Sequence, residues 1–276
     1  MDKLTFTSAF WTDKSLYDKV FFYYSLFPVT IWPILLLINA PYGKFAGKFL
    51  VDIHVNGKLG WFAMEATSPL TFLATILPPV YQMLTNSAPT WTTTQTVLST
   101  MWFTHYINRS IIYPLRAHSM SKMNIITVMA SVLFNGANAY TNGMWVAKYG
   151  SYPDSILQKP HFWFGVGLWT IGWLSNIHHD NILFQLRRER QVKDNQKRYS
   201  IPHGGLYEYV SCPNYFCETL EWCGWAIATY PSPPANIFVL GTIANLFPRA
   251  WRAHKWYQKE FPDYPKSRKA VVPFVL

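Results

Sequence analysis

Six or seven apolar runs recur along this chain of 276 residues. Each run is close to the roughly 20 residues that a helix needs to span a bilayer, and short polar connectors separate the runs. The pattern predicts an all-α integral membrane protein with seven transmembrane helices, and the alternative is a soluble protein with long buried helices. The runs lie at about 20–40, 59–84, 95–115, 123–143, 161–184, 214–231 and 235–250.

The composition and the placement of charge agree with a membrane protein. Hydrophobic residues make up 50% of the chain and charged residues 14%. If the chain has seven spans and a cytosolic C-terminus, most Lys and Arg residues face the cytosol, including Lys44, Lys48 and the stretch 187–198, as the positive-inside rule requires. The net charge of +10 is thus spread over several loops, which argues against a nucleic-acid partner and for the lipid bilayer.

The sequence has no internal repeat, low-complexity tract or long linker, so we expect a single domain over residues 1–276. The spacing of Cys212, Cys217 and Cys223 suits neither a zinc knuckle nor a disulfide framework, and we interpret them as reduced packing residues. Charges of both signs precede the first apolar run, which is too long for the core of a signal peptide. We therefore expect an uncleaved first span.

Two apolar runs contain polar residues that share a helix face. Spacings of four and seven residues bring such side chains to one side of a helix. Polar side chains in a span are costly unless they meet a partner or a wet cavity, so aligned ones indicate a site. The alternatives are a helix end at the membrane interface and ion pairs that only orient helices. The two faces consist of Asn176, Asp180, Leu183 and Arg187, and of Asn214, Glu218 and Glu221.

Two further ionisable residues lie inside apolar runs. Arg109 shares a helix face with Tyr106 and Tyr113, and a guanidinium at this depth needs an anion or several acceptors. A dinucleotide phosphate and a glutamate of the second polar face are both candidates. Glu65 is the only carboxylate in its run. Its neutral form, favoured in apolar surroundings, can donate a hydrogen bond to a carbonyl oxygen, and a structural bond to the backbone is the alternative.

Basic and aromatic residues alternate in the segment 248–269. This mixture suits a ligand that carries phosphates and rings, and it suits a membrane surface equally well. No G-x-G-x-x-G motif follows a strand, so a nucleotide would not be bound by a Rossmann unit. The eight His residues include one adjacent pair, His178 and His179. They lack the groupings that membrane di-iron oxidases use, and we predict no metal site.

Six segments of the chain resemble, in the same order, segments of one enzyme family. They are GKLGWFAME, HYINRSIIYPLR, SNIHHDNILFQLR, YSIPHGGLYEYVSCPNYFCETLEWCGWAIAT, RAWRAHKWY and DYPKSRKAVVPFVL. The chain is thereby similar to the steroid 5-alpha-reductase family, the 3-oxo-5-alpha-steroid 4-dehydrogenases. The resemblance begins near residue 57 and is densest over 199–276. It implies a seven-helix fold in the endoplasmic reticulum membrane, multi-pass, enclosing a substrate and NADPH cavity that opens to the cytosol.

The resemblance also implies roles for individual residues. Glu65 and Tyr106 match the positions that bind the 3-oxo group of the substrate, and they are the expected catalytic residues. His178 and His179 are expected to face away from the site. Gly204 matches a position in the cytosolic loop. The expected cofactor-binding residues are Arg109, Asn176, Asp180, Arg187, Tyr199, Asn214, Glu218, Arg249, His254, Tyr257 and Arg268.

Three positions depart from the family pattern. Cys217 stands where many relatives have Gly, which affects cofactor packing. Met64 stands where many relatives have Gln, which affects the steroid pocket. Ala253 stands where several have His, which weakens a catalytic role for a histidine there, although His254 is adjacent.

The resemblance implies an oxidoreductase that reduces the 4,5 double bond of 3-oxo-Δ4 steroids by hydride transfer from NADPH to carbon 5. Negative charge then develops on the 3-oxo oxygen, where Tyr106 and a neutral Glu65 would donate hydrogen bonds. Two other hypotheses stay open. One is reduction of a 2-enoyl thioester or a polyprenal in the same fold, and the other is a sterol-binding membrane protein without turnover. The sequence indicates neither the oligomeric state nor the proton donor to the α-carbon.

Overall fold

The computed structural model of the protein describes residues 10–11, 13–38, 52–84, 91–192 and 199–276. Helices overlap every apolar run, which confirms the prediction of an all-α protein. Lys44, Lys48 and residues 193–198, which entered the charge argument, lie outside the described residues. The α-helices are α1 (Lys14–Ser25), α2 (Phe27–Leu37), α3 (Gly57–Leu84), α4 (Thr93–Ile107), α5 (Tyr113–Arg116), α6 (Ile125–Met144), α7 (Pro160–Val192), α8 (Pro213–Ala228) and α9 (Pro233–Glu260).

Shorter elements join these helices. Two-residue strands β1 (His54–Val55) and β2 (Met123–Asn124) pair antiparallel immediately before α3 and α6. The pairing holds the starts of these two helices side by side. The remaining turns are π-helical at Asn108–Ile112 and Trp145–Tyr149, and 3-10 helical at Asp154–Gln158 and Gly205–Glu208.

Local sequence sets several helix starts. A capping box begins α4, in which Thr92 and Gln95 satisfy each other's backbone N–H groups. The side chain of Asn124 accepts a hydrogen bond from the Ile126 N–H at 2.9 Å and caps α6. Both α8 and α9 begin with proline in the first turn, where its missing N–H has no helical partner to lose.

One helical segment in the described part of the chain, Lys14–Leu37, is long and apolar enough to cross a membrane. The segment lies near the N-terminus, and this judgement rests on its length and composition alone. Signal sequences and core helices of soluble proteins share these properties. The count of seven spans therefore stays a prediction.

Helices α7 and α8 pack with their backbones in direct contact. A Cβ atom at Gly172 would overlap the backbone of Glu221, and one at Gly165 or Gly224 would overlap the backbone of the facing helix. Only glycine leaves room for this approach. Because the two helices come so close, the polar faces predicted on them meet.

Aromatic side chains fill the core between α3, α4, α8 and α9. Trp102 of α4 is 0% exposed. Its ring centroid lies 4.9 Å from that of Phe72, 5.2 Å from Trp225 and 5.7 Å from Trp222. Rings at these separations exclude water and stabilise the core. This aromatic core forms one side of the site described next.

Candidate functional site

Arg109 lies in the π-helical turn Asn108–Ile112, which widens the helix between α4 and α5. Its guanidinium lies 4.9 Å from the ring centroid of Trp61 and 4.8 Å from that of Tyr113. The Trp61 indole N–H donates a hydrogen bond to the Arg109 carbonyl oxygen at 2.8 Å. Stacking on two rings stabilises a desolvated cation. The turn and the rings therefore fix the position of this charge.

Three carboxyl groups surround Arg109. Its Nη1 donates to Oδ2 of Asp180 at 3.3 Å, and the two side chains are 13% and 7% exposed. Glu218 and Glu65 lie close enough for their charges to act on the guanidinium. One cation among three carboxyl groups leaves acidic oxygens for other donors, such as hydroxyl or amide groups of a ligand. We call Glu65, Arg109, Asp180 and Glu218 the Arg109 cluster.

Two asparagines extend the Arg109 cluster across the contact between α7 and α8. Asn214 Nδ2 donates to Oδ1 of Asp180 at 3.3 Å, and Asn176 Nδ2 donates to the Asn214 carbonyl oxygen at 2.9 Å. Arg187 lies further along α7 and is exposed, and its charge acts on Asp180. The structure thus brings Asn176, Asp180 and Asn214 together, and leaves Arg187 at the edge.

Tyr106 lies between the Arg109 cluster and the aromatic core. It is 3% exposed, and its ring centroid is 5.1 Å from that of Trp102. The charges of Glu65 and Glu218 act on its hydroxyl group. The two residues expected to bind the substrate oxygen, Glu65 and Tyr106, therefore share one place in the fold.

A buried histidine and glutamate pair next to Tyr106 was not assigned to the site from the sequence. His105 Nδ1 lies 2.5 Å from Oε1 of Glu221, and the residues are 3% and 0% exposed. The other carboxyl oxygen of Glu221 has no hydrogen-bond partner among the described residues. The sequence places both ionisable side chains within apolar runs, which could have marked them as candidates. Their pairing depends on how the two helices pack, which the sequence does not show.

His179 joins the loop after α7 to that helix. Its Nδ1 lies 2.6 Å from the Ser175 carbonyl oxygen, and its Nε2 accepts a hydrogen bond from the Leu206 N–H at 2.9 Å. His179 is 3% exposed and has this structural role, whereas His178 is exposed. That both face away from the site stays a prediction. Helical spacing identified one polar face of α7. The loop after α7 contacts a second face of this helix at His179.

Arg268 holds the loop 202–208 in place. Its Nη1 donates to the Pro202 carbonyl oxygen at 2.9 Å, and its Nη2 donates to Oε2 of Glu208 at 3.3 Å. The Gly204 N–H, which donates to Glu208 at 2.6 Å, and the Arg268 charge lower the pKa of the Glu208 carboxyl. Gly204 has a φ of 95°, a conformation that favours glycine. We call this loop and Arg268 the Arg268 tie.

His254, Tyr257 and Tyr199 lie near the Arg268 tie. Nδ1 of His254 is 2.6 Å from Ser211 Oγ and its Nε2 is 2.8 Å from Gln258 Nε2, so both ring nitrogens are engaged. Burial, together with nearby lysines, lowers the pKa of His254. The ring of Tyr257 stacks on Tyr264, and that of Tyr199 contacts Trp256 edge to face.

The expected cofactor residues thus form two groups. The first lies around the Arg109 cluster, and the second lies near the Arg268 tie. Arg249 connects them, because its Nη2 donates to the Tyr215 hydroxyl at 2.9 Å, and the charges of Glu218 and Asp180 act on that hydroxyl. A cleft of about 670 Å³ lies at the second group. The enclosed cavity expected at Glu65 and Tyr106 stays a prediction. The cleft is lined by Trp251, His254, Lys255, Gln258, Lys266, Arg268, Lys269 and neighbouring residues.

The cysteines and the possible metal ligands lie apart from one another. Cys212 and Cys217 are buried, as expected of packing residues, and Cys223 is partly exposed. Cys217 Sγ lies 3.7 Å from His179 Nδ1. Over residues 10–11, 13–38, 52–84, 91–192 and 199–276, no three His, Cys, Asp or Glu side chains come together in a group that could hold a metal ion.

Comparison with known proteins identifies the family. Residues 121–276 match the family model described as 3-oxo-5-alpha-steroid 4-dehydrogenase. The chain belongs to this family. It is 35% identical to the 3-oxo-5-alpha-steroid 4-dehydrogenase 1 of Rattus norvegicus, over 87% of each chain. It is 37% identical to a steroid 5-alpha-reductase of Arabidopsis thaliana, over 95% of this chain and 99% of the relative. An uncharacterized protein of Schizosaccharomyces pombe is 38% identical over 91% and 96% of the two chains.

The residues of this steroid dehydrogenase family member fit a nicotinamide dinucleotide. Asp180 and the amides beside it offer acceptors and donors for ribose hydroxyl and carboxamide groups. Buried Arg268 Nε has no hydrogen-bond partner within the described part of the chain, so it has a donor for a ligand. Lys266 and Lys269 line the cleft beside Arg268 and suit phosphates.

Proposed function

We propose that the protein is an NADPH-dependent 3-oxo-5-alpha-steroid 4-dehydrogenase that reduces the 4,5 double bond of 3-oxo-Δ4 steroids. The rat and Arabidopsis relatives carry the names of this activity. The observation that carries the proposal is that Tyr106 lies between Glu65 of the Arg109 cluster and the aromatic core. A flat apolar ketone beside a polar dinucleotide needs such a boundary between apolar and charged surroundings.

The proposed role of Glu65 and Tyr106 follows from the charge that develops in the reaction. Reduction of a conjugated ketone moves negative charge onto the carbonyl oxygen. Hydrogen-bond donors aimed at that oxygen stabilise the transition state more than the ground state. The Tyr106 hydroxyl and a neutral Glu65 carboxyl are the donors that this chain offers at the aromatic boundary.

The cofactor residues have proposed roles of two kinds. Asn176, Asp180 and Asn214 orient the nicotinamide end, because their amide and carboxyl groups match its carboxamide and ribose hydroxyls. Arg249 and the Nε of Arg268 hold phosphates, together with Lys266 and Lys269 of the cleft. When bound, the reduced nicotinamide supplies the hydride for carbon 5. The protein residues keep both ligands in place and exclude water from the reacting atoms.

We also propose that the protein lies in the endoplasmic reticulum membrane, multi-pass, with its cofactor site facing the cytosol. The apolar helix Lys14–Leu37 and the basic residues beside the cleft support this orientation. A cysteine introduced at the exposed Ser267 should react with an impermeant maleimide in sealed microsomes. Reaction only after the vesicles are opened would reverse the orientation.

A substrate panel tests the activity. Membranes that contain the protein are incubated with NADPH and a 3-oxo-Δ4 steroid, a 2-enoyl thioester or a polyprenal, and the products are identified by mass spectrometry. We expect the 5α-3-oxosteroid. Reduction of the thioester or the polyprenal alone would assign the other chemistry to the fold. Binding of a sterol without oxidation of NADPH by any compound would support a protein without turnover.

Two substitutions test the residues. Glu65→Gln and Tyr106→Phe each remove one donor, and we expect steroid reduction to fall about 10²–10³-fold. The matched controls are Glu260→Gln and Tyr209→Phe, because both side chains are exposed. Turnover that is equal in each variant and its control would contradict the proposed roles of Glu65 and Tyr106.

A further inference from the structure

The buried pair of His105 and Glu221 connects α4 and α8 inside the apolar core. Their side chains are 4% and 0% exposed, and Nδ1 and Oε1 are 2.5 Å apart. The His105 ring lies 4.5 Å from that of Trp222, which also packs on the aromatic core. A contact of this length between a ring nitrogen and a carboxyl oxygen requires a proton between the two atoms. The pair therefore holds at least one proton.

Structural stability alone gives a weak reason for this pair. Replacing a buried ion pair by well-packed apolar side chains is often neutral or stabilising. Glu221 also keeps one oxygen without a hydrogen-bond partner among the described residues, and an unsatisfied buried acceptor is costly. Two leucines at these positions would be at least as stabilising as the pair, which holds a proton and leaves one buried carboxyl oxygen unpaired. The pair therefore suggests a role other than stability.

The pair adjoins the predicted catalytic residues. The His105 ring centroid lies 4.7 Å from that of Tyr106, and the charges of Glu218 and Glu65 act on His105. The charge of Glu221 acts on the Tyr106 hydroxyl. A proton held by the pair is therefore one side chain away from the hydroxyl that would bind the substrate oxygen.

We propose that the His105–Glu221 pair stores the proton that the reduction consumes and returns it to Tyr106, a role that rests on the proposed function. Hydride addition to the β-carbon from the reduced nicotinamide moves the electron pair of the double bond onto the carbonyl oxygen. The Tyr106 hydroxyl proton passes to that oxygen, and the proton of the pair passes to the Tyr106 oxygen. The resulting enol becomes the ketone when its hydroxyl proton moves to the α-carbon. One hydride and one proton are consumed, and water recharges the pair.

Single substitutions test the proton supply. In His105→Gln and Glu221→Gln, we expect kcat for the steroid to fall on the order of 10²-fold, the range of general acid–base effects. KM for steroid and for NADPH should change by less than about twofold, because the substituted groups do not bind either ligand. The solvent deuterium isotope effect on kcat should rise. His161→Gln, an exposed histidine, is the control and should keep wild-type values.

A double substitution separates proton supply from packing. His105→Leu with Glu221→Leu leaves no unpaired buried group, so it should fold even where a single variant does not. Turnover at the wild-type rate in this double variant would overturn the proposal, since packing alone would then suffice. Continued loss of turnover with NADPH binding intact supports it. If the double variant does not accumulate, the solvent isotope effect on the single-turnover rate of the wild type is measured instead. A value of unity overturns the proposal.

Infrared spectroscopy tests the stored proton without turnover. The resting wild type should have a band of a protonated carboxyl or an imidazolium that shifts in D2O and is missing from the double variant. Identical spectra of the two proteins would overturn the proposal. This measurement needs no substrate. A wild type that has the band but reduces no ketone would contradict the proposed function while leaving a proton-holding pair in place.

Discussion

Two arginines of this protein, Arg268 and Arg109, have opposite surroundings. Arg268 is 2% exposed and donates to the backbone carbonyl of Pro202 and to Glu208, whose carboxylate also accepts the Gly204 N–H. Arg109 faces three carboxyl groups and makes one hydrogen bond to them, of 3.3 Å. The acceptors around Arg268 are satisfied by the protein itself, whereas acidic oxygens of the two glutamates in the Arg109 cluster have no donor among the described residues and remain for a ligand. The difference supports the proposal that the Arg109 cluster binds a ligand, whereas the two Nη atoms of Arg268 position the loop of the Arg268 tie.

Removing each guanidinium tests this contrast most strongly. Arg109→Gln leaves the buried Asp180 and the partly buried Glu65 and Glu218 without their cation, and we expect a loss of about 3–5 kcal/mol in the free energy of unfolding. Arg268→Gln leaves one carbonyl and one half-exposed carboxylate, and we expect a loss of about 1–3 kcal/mol. Denaturation of both variants in the same detergent measures the difference. Equal losses would mean that the two surroundings do not differ in charge.

The glycine contact between α7 and α8 should matter nearly as much. Gly172→Ala places a Cβ against the backbone of Glu221, so the helices must separate, and we expect a loss of about 1–3 kcal/mol. Gly167→Ala, on the same helix, meets nothing within 4 Å and is the control. Thermal unfolding compares the two. A control that is as unstable as Gly172→Ala would attribute the loss to glycine chemistry and not to helix contact.

The region around the Arg268 tie should respond to pH through His254. Burial, with Lys255 and Lys269, lowers the pKa of His254 in the folded state. The unfolded state then binds the proton more readily, so this contribution to stability is complete above about pH 6.5 and is lost as the pH falls below it. The unfolding midpoint of the wild type should fall as the pH is lowered from 8 to 5, and that of His254→Gln should change less. A parallel decline in both would exclude His254 as the cause.

The smallest effect should come from Glu208. Its pKa is lowered by the Gly204 N–H and by Arg268, so its contribution is present at neutral pH and lost in acid. Because the side chain is 47% exposed, water screens the interaction, and Glu208→Gln should cost at most about 1 kcal/mol. Glu260→Gln, which is exposed on α9, is the control for the measurement at neutral and acidic pH.

Helical spacing predicted part of the Arg109 cluster. The spacing placed Asn176 and Asp180 on one face of α7, because repeats of four residues determine which side chains align. In the same way, it placed Asn214 and Glu218 on one face of α8. The packing of the two helices then brings Asn214 to Asp180.

Spacing did not predict that Glu221 leaves its face partners and pairs with His105, since that contact depends on how α4 packs against α8. The sequence contains the glycines that let α7 and α8 touch. It does not show which backbone segment each glycine would face.

The second half of the site was less predictable. The sequence marked 248–269 as basic and aromatic without deciding between a ligand and a membrane surface. The structure engages both nitrogens of His254 and turns Arg268 toward the loop 202–208. Likewise, the two-residue pairing of β1 with β2 joins distant segments. Such contacts depend on long-range geometry, which composition and periodicity do not contain.

The claim that the buried ionisable side chains serve a dinucleotide is tested most directly by NADPH binding. Purified wild-type protein and Asp180→Asn are titrated with NADPH in detergent, with Asp263→Asn, an exposed aspartate, as the control. Loss of a hydrogen bond to a charged group should weaken binding by roughly 10–100-fold in Asp180→Asn and leave the control unchanged. Equal NADPH affinity in all three proteins would contradict the claim.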